Sequence, residues 1–484
     1  MHKHRYILPA ALVLVVVSLS ASAAPAAEPA CETAGAKADA GLRRYIYSLH
    51  PDGSQGGGPK SKDGIVVLDI DNGCSYVRRI PLPCLAEKYG GHGARGIVGH
   101  TATRRLYYTF MLTNAKTNPT GKGAPVVGCL DLETDRVLWE VYLRNLPEAK
   151  GHDVGAGNPA VTHDGKKLYI PPEWTGGNET TVLDASDGKL IAFVPTGGNG
   201  CGNAILSPDG KFVYASKDAT RINTATDQIE WNVPAPGASP AKWKGNRPPQ
   251  GPCPGHSHYM IDATGERMFG TYECQGEAAI VYSTRTGEIL DRLSPPQSGP
   301  LDFFWKHWRT SDHPMRKFGS MSHEGSFTPS GTRFWVQSME HLPAPPDAVW
   351  AHVVQVDATG GNASGSLFRG CANINWVTEW DVSRAPAALV KVIATRSPGH
   401  SHAHALVTRE GDLVLTGDGY ALDTGTGKHK ATWKDEDGKW FQGTKFMQVN
   451  FRDGKPDWVG QRHGTGWLYH VPSLSEAGAK ESKP

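Results

Sequence analysis

The sequence predicts an all-β protein, a seven-bladed β-propeller, from three observations. A strand–turn–strand phrase recurs along the chain, turn-forming residues are abundant, and no segment shows the period of an amphipathic helix. The 484 residues include 57 Gly and 35 Pro, which indicates many short strands joined by tight turns. Antiparallel strands that alternate only with turns are typical of radial repeats. Eight blades remain an alternative, because the C-terminal tail is long enough for more than one strand.

The recurring phrase has the pattern of a β-hairpin whose central glycine adopts a positive φ. Its copies begin at Val161, Leu206, Ile261, Phe327 and Val407, and a degenerate copy without the glycine begins at Val98. A complementary hairpin follows most copies, as at Val127, Thr181 and Ala279. Two hairpins make one four-stranded unit, and such units must stack because a single one cannot bury both faces.

Six blades are predicted to begin near His92, His152, Cys201, His256, His323 and His400. Residues 44–82 supply strands with no preceding partner, so residues 445–471 are expected to pair with them and close the ring. The predicted propeller spans residues 41–474, between a flexible segment at 24–40 and a disordered tail at 475–484. A long aromatic stretch at 295–317 interrupts the repeat and is expected to form an ordered flap or to dock a partner.

The N-terminus is predicted to be a secretory signal peptide over residues 1–23. It has a basic start, an apolar run at 7–21 and small residues at the expected cleavage site, as such peptides do. The apolar run is shorter than the span of about 20 residues that a membrane helix needs, although an uncleaved anchor is the alternative. We therefore expect a periplasmic or secreted protein with no membrane span after cleavage.

Charge and cysteine usage narrow the function classes. The formal net charge is +2, without a basic stripe interleaved with aromatics, so nucleic acid is not an expected partner. Eight cysteines occur without a Cys-x-x-Cys pair, which in an oxidising compartment favours disulfides over a thiolate metal site. Proximity in sequence favours Cys74 with Cys84 and Cys253 with Cys274.

Histidines recur just ahead of the repeated phrase, where the innermost strands of a propeller line its channel. They are His92, His152, His256, His258, His323, His400, His402 and His404. A spacing of two places the members of each set on one face of a strand. Imidazoles around one axis suit copper by the usual affinity order, and more than one ion is expected. The scarcity of carboxylates and thiols here disfavours calcium and structural zinc.

The alternative for each such histidine is a hydrogen-bonded structural role. His463 stays open between ligand and surface residue, whereas His100 and His163 are expected in turns or outer strands. The glycine-rich unit at 197–203 carries no histidine and is expected to leave room for a substrate.

Two residues are candidates for catalysis. Glu324, beside His323, is placed to orient or deprotonate a water molecule, and Lys60, in a glycine-rich loop, is placed to hold an anion. Strand alternation would aim Glu324 away from the channel if His323 points inward.

The phrase Ser207-Pro-Asp-Gly-Lys-Phe-Val-Tyr resembles the YVTN-type propellers over nearly all of the mature chain, a motif specific for fold and nearly silent on function. With the inner-strand histidines and the export signal, the chain is similar to the copper propellers of the nitrous oxide reductase class. Since it lacks the paired-cysteine cupredoxin motif, its layout is most similar to the thiocyanate dehydrogenases.

The resemblance implies a periplasmic copper-dependent oxidoreductase that oxidises a small inorganic or sulfur-containing substrate. It implies ligands such as His92, His152, His323 and His402, with Lys60 as a substrate-anion contact. An external electron acceptor such as cytochrome c is implied as well, because no haem or nucleotide motif is visible in the sequence.

Two other classes remain open. The first is a non-catalytic secreted binding or scaffold propeller with structural hub histidines. The second is a lyase or lactonase propeller with one calcium or magnesium ion, for which carboxylate ligands are expected. Tight, stoichiometric metal would separate the first alternative from the copper enzyme.

Overall fold

Seven sheets follow one another along the chain and form the blades of a propeller, as the sequence predicts. The computed structural model describes residues 41–50, 63–85, 90–113, 124–172, 178–196, 202–215, 220–232, 257–272, 278–293, 321–340, 353–356, 373–397, 404–440, 442–443 and 445–481. The predicted signal peptide (1–23), the segment 24–40 and the aromatic stretch at 295–317 lie outside the described residues.

Blades 1 to 6 follow one another in chain order, and in each of them except blade 5 the strands pair in that order as well. Blade 1 has β4 (Gly90–His100), β5 (Arg105–Thr113), β6 (Ala124–Asp131) and β7 (Arg136–Tyr142); blade 2 has β8 (Ala160–Val161), β9 (Lys167–Ile170), β10 (Thr180–Asp184) and β11 (Leu190–Val194); blade 3 has β12 (Ile205–Leu206), β13 (Phe212–Ala215), β14 (Thr220–Asn223) and β15 (Gln228–Asn232). Blade 4 has β16 (Ser257–Ile261), β17 (Arg267–Tyr272), β18 (Ala279–Ser283) and β19 (Ile289–Leu293); blade 5 has β20 (Met321–Phe327), β21 (Arg333–Glu340), β23 (Asn373–Asp381), β24 (Ala388–Ser397) and β22 (Val353–Val356), the last parallel to β24; blade 6 has β25 (Ala405–Val407), β26 (Leu413–Thr416), β27 (Tyr420–Asp423) and β28 (His429–Thr432).

Blade 7 is shared by the two ends of the described chain, as predicted. Its strands are β3 (Ser75–Ile80), β2 (Gly64–Asp69), β1 (Leu42–His50), β29 (Phe446–Arg452) and β30 (Lys455–Val459). The pairing of β1 with β29 runs from Leu42 opposite Arg452 to Ser48 opposite Phe446. The ring is therefore closed by main-chain hydrogen bonds between residues about 400 positions apart.

The repeated glycines are required by the turns and by the packing of neighbouring blades. Gly165, Gly210, Gly265, Gly331 and Gly411 have φ between +68° and +76°. Each of the first two also packs against a histidine of the preceding blade: a Cβ on Gly210 would lie 2.8 Å from His163 Nδ1, and one on Gly165 would meet His100. In the degenerate copy Arg104 takes the glycine's place with φ +52°.

The residues after β30 were expected only to complete blade 7, but they enter the channel. We call residues 459–471 the channel segment. Its bonds to the inner strands are Gly99 N to Gly460 O (3.1 Å), Gly466 N to Ile261 O (3.1 Å), Phe327 N to Gly464 O (3.1 Å) and Tyr469 Oη to Val407 O (2.6 Å). Because these strands belong to blades 1, 4, 5 and 6, the segment lies among the innermost strands of the ring.

The predicted Cys74–Cys84 disulfide is wrong, since both residues are buried free cysteines. They flank β3 at opposite ends, and six strand residues at about 3.3 Å each separate such positions by roughly 20 Å. Burial raises the pKa of the Cys74 thiol to about 12. The predicted partners Cys253 and Cys274 lie outside the described residues.

The C-terminal tail also differs from the expectation of disorder at 475–484. Helix α1 (Leu474–Glu481) begins after Ser473, whose Oγ accepts the Glu476 N–H while Glu476 Oε2 accepts the Ser473 N–H at 2.7 Å. This reciprocal pair of hydrogen bonds is a capping box, which marks the start of a helix. The prediction of disorder, which was made from the composition of the tail, did not take this motif into account. Within the described residues, no helix has the length and hydropathy needed to cross a bilayer.

Candidate functional site at the propeller hub

One buried polar residue from the inner strand of each of blades 1 to 6 lies at the same position relative to the repeat. Each precedes the first residue of its phrase by three: Arg95, Asn158, Asn203, His258, Glu324 and His404. The channel segment adds Arg462 and His463. We call these eight residues the hub. All are at most 6% exposed, so the hub is a buried polar cluster.

An irregularity in the inner strand allows Glu324 to reach the hub. The register of β20 against β21 shifts between Ser322 and Gly325, and Glu324 instead forms a parallel bridge with His404 of blade 6. A bulge breaks strict alternation, so the orientation of Glu324 does not follow from that of its neighbour. A similar shift in β4 surrounds Arg95.

Three imidazoles and one guanidinium converge on the Glu324 carboxylate. The Nδ1 atoms of His258, His404 and His463 lie 2.8, 2.9 and 3.3 Å from its oxygens, and Arg462 Nη2 donates to Oε1. Burial would raise the pKa of Glu324, but Arg462 and the three histidines outweigh it and hold the pKa well below its usual value. The carboxylate is therefore ionised, with Arg462 as its counter-ion.

Asn203 fixes the tautomer of His463. Its side chain is oriented by both main-chain groups of Tyr259: Oδ1 accepts the Tyr259 N–H and Nδ2 donates to the Tyr259 carbonyl, each at 2.8 Å. Nδ2 also lies 3.1 Å from His463 Nε2. Because an amide nitrogen can only donate, Nε2 is the acceptor and the ring proton is on Nδ1, facing Glu324.

Burial also favours the neutral form of two hub imidazoles. It lowers the pKa of His404 well below the usual histidine value, against the opposing pull of Glu324. It lowers the pKa of His463 in the same way. The ion pair of Glu324 and Arg462 thus lies beside two neutral rings whose Nδ1 atoms face the carboxylate.

The structure brings only some of the predicted site residues to the hub. His258, His404 and Glu324 meet there. His152 instead has a side chain that is 38% exposed, with Nδ1 2.9 Å from Glu179 and its ring stacked on Phe193. His92 and His323 belong to β4 and β20, with side chains outside the described part. Lys60, His256, His400 and His402 lie outside the described residues.

The hub by itself does not fit a copper ion. Among the residues that the structure describes, no group of three or more His, Cys, Asp or Glu could hold a metal ion. The physical reason is that the Nε2 atoms a metal would need are engaged: that of His404 lies 3.2 Å from Arg462 Nη2, and that of His463 contacts Asn158 and Asn203. The sector expected to be open at 197–203 is occupied, in its described part, by Asn203.

Sequence reasoning missed Arg95, Asn158, Asn203 and Arg462, and left His463 undecided. A signal for the first three of them was present. Aligning the repeat copies and counting three residues toward the N-terminus finds them together with the predicted His258, Glu324 and His404. No repeat marks Arg462, because the channel segment has no equivalent elsewhere in the described chain.

Comparisons with known proteins find structural likenesses at low sequence identity. No protein-family model matches the chain, and the curated proteins give no match. A chain of hydrazine synthase from Kuenenia stuttgartiensis is 15% identical (TM-score 0.42), covering 68% of this chain and 76% of that one. The β-propeller domain of Cps50 (Swd1) from Myceliophteria thermophila is 13% identical (TM-score 0.40), covering 76% and 96%. The C-terminal WD40 domain of Sif2 is 8% identical (TM-score 0.41), covering 73% and 72%.

Proposed function

We propose that the chain is a periplasmic or secreted copper-dependent oxidoreductase, with copper held by the histidines that precede the hub residues on the inner strands. The substrate class is a small inorganic or sulfur-containing molecule, as in the thiocyanate dehydrogenases that the sequence resembles. Copper on imidazole ligands would accept electrons from such a substrate and pass them to an external carrier such as cytochrome c.

The observation that carries this proposal is the convergence of equivalent repeat positions at the hub. His258 and His404, from blades 4 and 6, meet at one carboxylate from blade 5, and the centroids of their rings are 6.3 Å apart. Side chains two residues apart share one face of a strand, so His256 and His402 are expected to line the same channel. His323 of blade 5, which directly precedes Glu324, is the third proposed position.

The proposal divides the roles of the predicted residues. His92, His256, His323, His400 and His402 are the proposed ligands. His258 and His404, engaged with Glu324, are assigned a supporting role, because residues behind a metal site orient its ligands. Glu324 is buried and paired with Arg462, so it stabilises the hub rather than activating water. Lys60 stays the proposed contact for a substrate anion.

The position of the channel segment bears on the side from which a substrate would reach the proposed metal. Because residues 459–471 lie among the inner strands, access to the proposed metal is from the side where those strands begin. There the chain carries its histidine series, and a small substrate and the electron acceptor would approach from that side.

The experiment is elemental analysis of protein purified from the periplasm, with copper, zinc, iron and calcium measured per chain. We expect at least two copper ions per chain in the wild type and a loss of most copper in the His256→Ala/His402→Ala variant. The His152→Ala variant is the matched control, because this exposed residue pairs with Glu179, and it should keep its copper. Wild-type protein that retains no copper after loading would overturn the proposal.

A second candidate is the non-catalytic binding propeller. It is favoured by the mutual contacts of the hub groups, since Glu324 lies within ion-pair distance of Arg462, His404 and His463 without any ligand. Metal-free wild-type protein that is fully folded, with a melting temperature unchanged by chelator, is the result this candidate predicts.

A further inference from the structure

Behind His404, a second buried polar network joins blades 5 and 6. Asp418 is fully buried in the turn between β26 and β27. Its carboxylate accepts hydrogen bonds from Gln337 and Thr395, and from Asn375 Nδ2 at 3.1 Å. Burial raises the pKa of Asp418, against the opposing effect of these hydrogen bonds. Because an amide nitrogen can only donate, the contact with Asp418 holds Gln337 Nε2 in this orientation.

The opposite end of the Gln337 amide holds the inner strand of blade 6. Its Oε1 accepts the main-chain N–H of His404 at 3.0 Å and that of Gly417 at 3.1 Å. The Gly417 N–H also bonds to the His404 carbonyl at 2.8 Å. An amide has one acceptor end and one donor end. If the Gln337 amide were flipped, its NH2 group would face the N–H groups of His404 and Gly417. Its carbonyl oxygen would then face the Asp418 carboxyl oxygen.

The geometry points to Asp418 and Gln337 as a positioning pair for the histidine strand. We infer that Asp418 locks the Gln337 amide, and that Gln337 thereby sets where His404 enters the channel and how its ring meets Glu324. The contact that links the pair to the hub is the hydrogen bond from the main-chain N–H of His404 to Gln337 Oε1. Its consequence for the proposed ligands His400 and His402 rests on the proposed function, whereas its effect on His404 does not.

The pair can be exchanged without losing a hydrogen bond. In Asp418→Asn, the new amide has only one acceptor oxygen, so one of the three bonds fails and the Gln337 amide is no longer locked. In the double variant Gln337→Glu/Asp418→Asn, the Glu carboxylate accepts from His404, Gly417 and the new Asn amide. The remaining Asn oxygen still accepts from Asn375 and Thr395, so the double variant should restore the geometry.

The test uses the full-length protein labelled with 15N-histidine, and it follows the His404 imidazole resonances by NMR together with copper per chain. Asp418→Asn should move or broaden the His404 Nδ1–H signal, and the double variant should return it toward its wild-type position. Asp262→Asn is the matched control, because Asp262 is equally buried but pairs with Arg267 in another blade. It should leave the His404 signal in place.

If the Asp418→Asn variant does not fold, Gln337→Met is the alternative. It removes the amide that links Asp418 to the His404 N–H and leaves Asp418 its contacts with Asn375 and Thr395. It should shift the His404 signal in the same way. An unmoved His404 signal in both folded single variants, or no recovery in the double variant, overturns the positioning role. If the signal responds as expected but the wild type holds no copper, the positioning pair stands and the proposed function fails.

Discussion

At the scale of residues, Glu324 organises the hub through its charge. It is the only acidic side chain among the eight hub residues, and its oxygens contact three imidazole Nδ1 atoms and Arg462. A carboxylate transferred from water to this interior without partners would be very unfavourable. The hub is therefore stable only while its partners from blades 4 and 6 and from the channel segment are all in place.

Removing the counter-ion tests this dependence. Arg462→Met keeps an apolar stem of similar length but leaves Glu324 without its guanidinium, and removing one partner of a buried ion pair costs about 3–5 kcal/mol. We expect urea unfolding to show a loss of that size. The matched control is Arg104→Met, which breaks the exposed pair with Glu133 and should cost less than about 1 kcal/mol. Similar losses in the two variants would contradict the account.

The neutral state of His463 makes stability depend on pH. Burial lowers its pKa in the folded chain, so between its folded and unfolded pKa values the unfolded chain binds the extra proton. Stability is then fully present above the ordinary histidine value near 6.5 and is lost as the pH falls below it. Between about pH 7.5 and 5.5 this residue should therefore contribute to the loss of stability. Urea unfolding across that range should show a shallower dependence in His463→Gln, and an unchanged dependence would refute the assignment.

The candidate site was only partly predictable from the sequence, for a reason visible at this scale. The spacing of two in His256 to His258 and His400 to His404 identified residues that share a strand face, and two of them do lie in the hub. Whether a nitrogen is free for a metal depends on partners from other blades. Arg462 and Asn203 contact the histidines from segments outside the histidine series. Their contacts with the histidines therefore could not be predicted from a local sequence pattern.

At the scale of elements, the repeated turn both ends a hairpin and packs the ring. The glycine of one turn lies against the turn of the preceding blade, as Gly210 does against His163. This is why the glycine recurs with the phrase. The sequence predicted the turn from its dipeptides, and it could not predict the contact, which exists only after the blades are side by side.

Alanine at Gly210 tests two reasons for the recurring glycine of the turn separately: the positive φ and the packing against the preceding blade. Gly210 has φ +70°, and a non-glycine residue in this region costs about 1–2 kcal/mol; the added Cβ would also crowd His163. Gly73 has φ +65°, and a Cβ added to it would have no atom within 4 Å, so it is the control for backbone strain alone. Thermal unfolding should show a greater loss for Gly210→Ala than for Gly73→Ala, with the excess relieved by His163→Ala. Equal losses would show that the blade contact contributes nothing.

The position of the channel segment was the least predictable feature of the fold. Residues 459–471 were expected to end blade 7, because a propeller is closed by pairing its terminal strands. The segment is rich in glycine, and a side chain at Gly464 would collide with Ser326. This close packing of Gly464 against side chains gives no periodic signal from which it could be predicted.

At the scale of the whole molecule, the closure of the propeller ring is linked to the assembly of the hub. The pairing of β1 with β29 completes the ring, and the chain that follows β29 and β30 enters the channel and delivers Arg462 and His463 to Glu324. The number of blades followed from counting repeats, since each copy of the phrase supplies one inner hairpin. The contacts of Arg462 and His463 with Glu324 could not be obtained by counting, because they form only after the ring has closed.

The central claim is that the histidines at the starts of the inner strands bind copper. The most direct measurement is an anomalous difference map, collected at the copper edge, from crystals of the copper-loaded protein. The account predicts peaks in the channel about 2 Å from imidazole nitrogens, with His256 and His402 among the ligands and none at His152. Peaks confined to surface histidines, or no peak in the channel of fully loaded crystals, would contradict it.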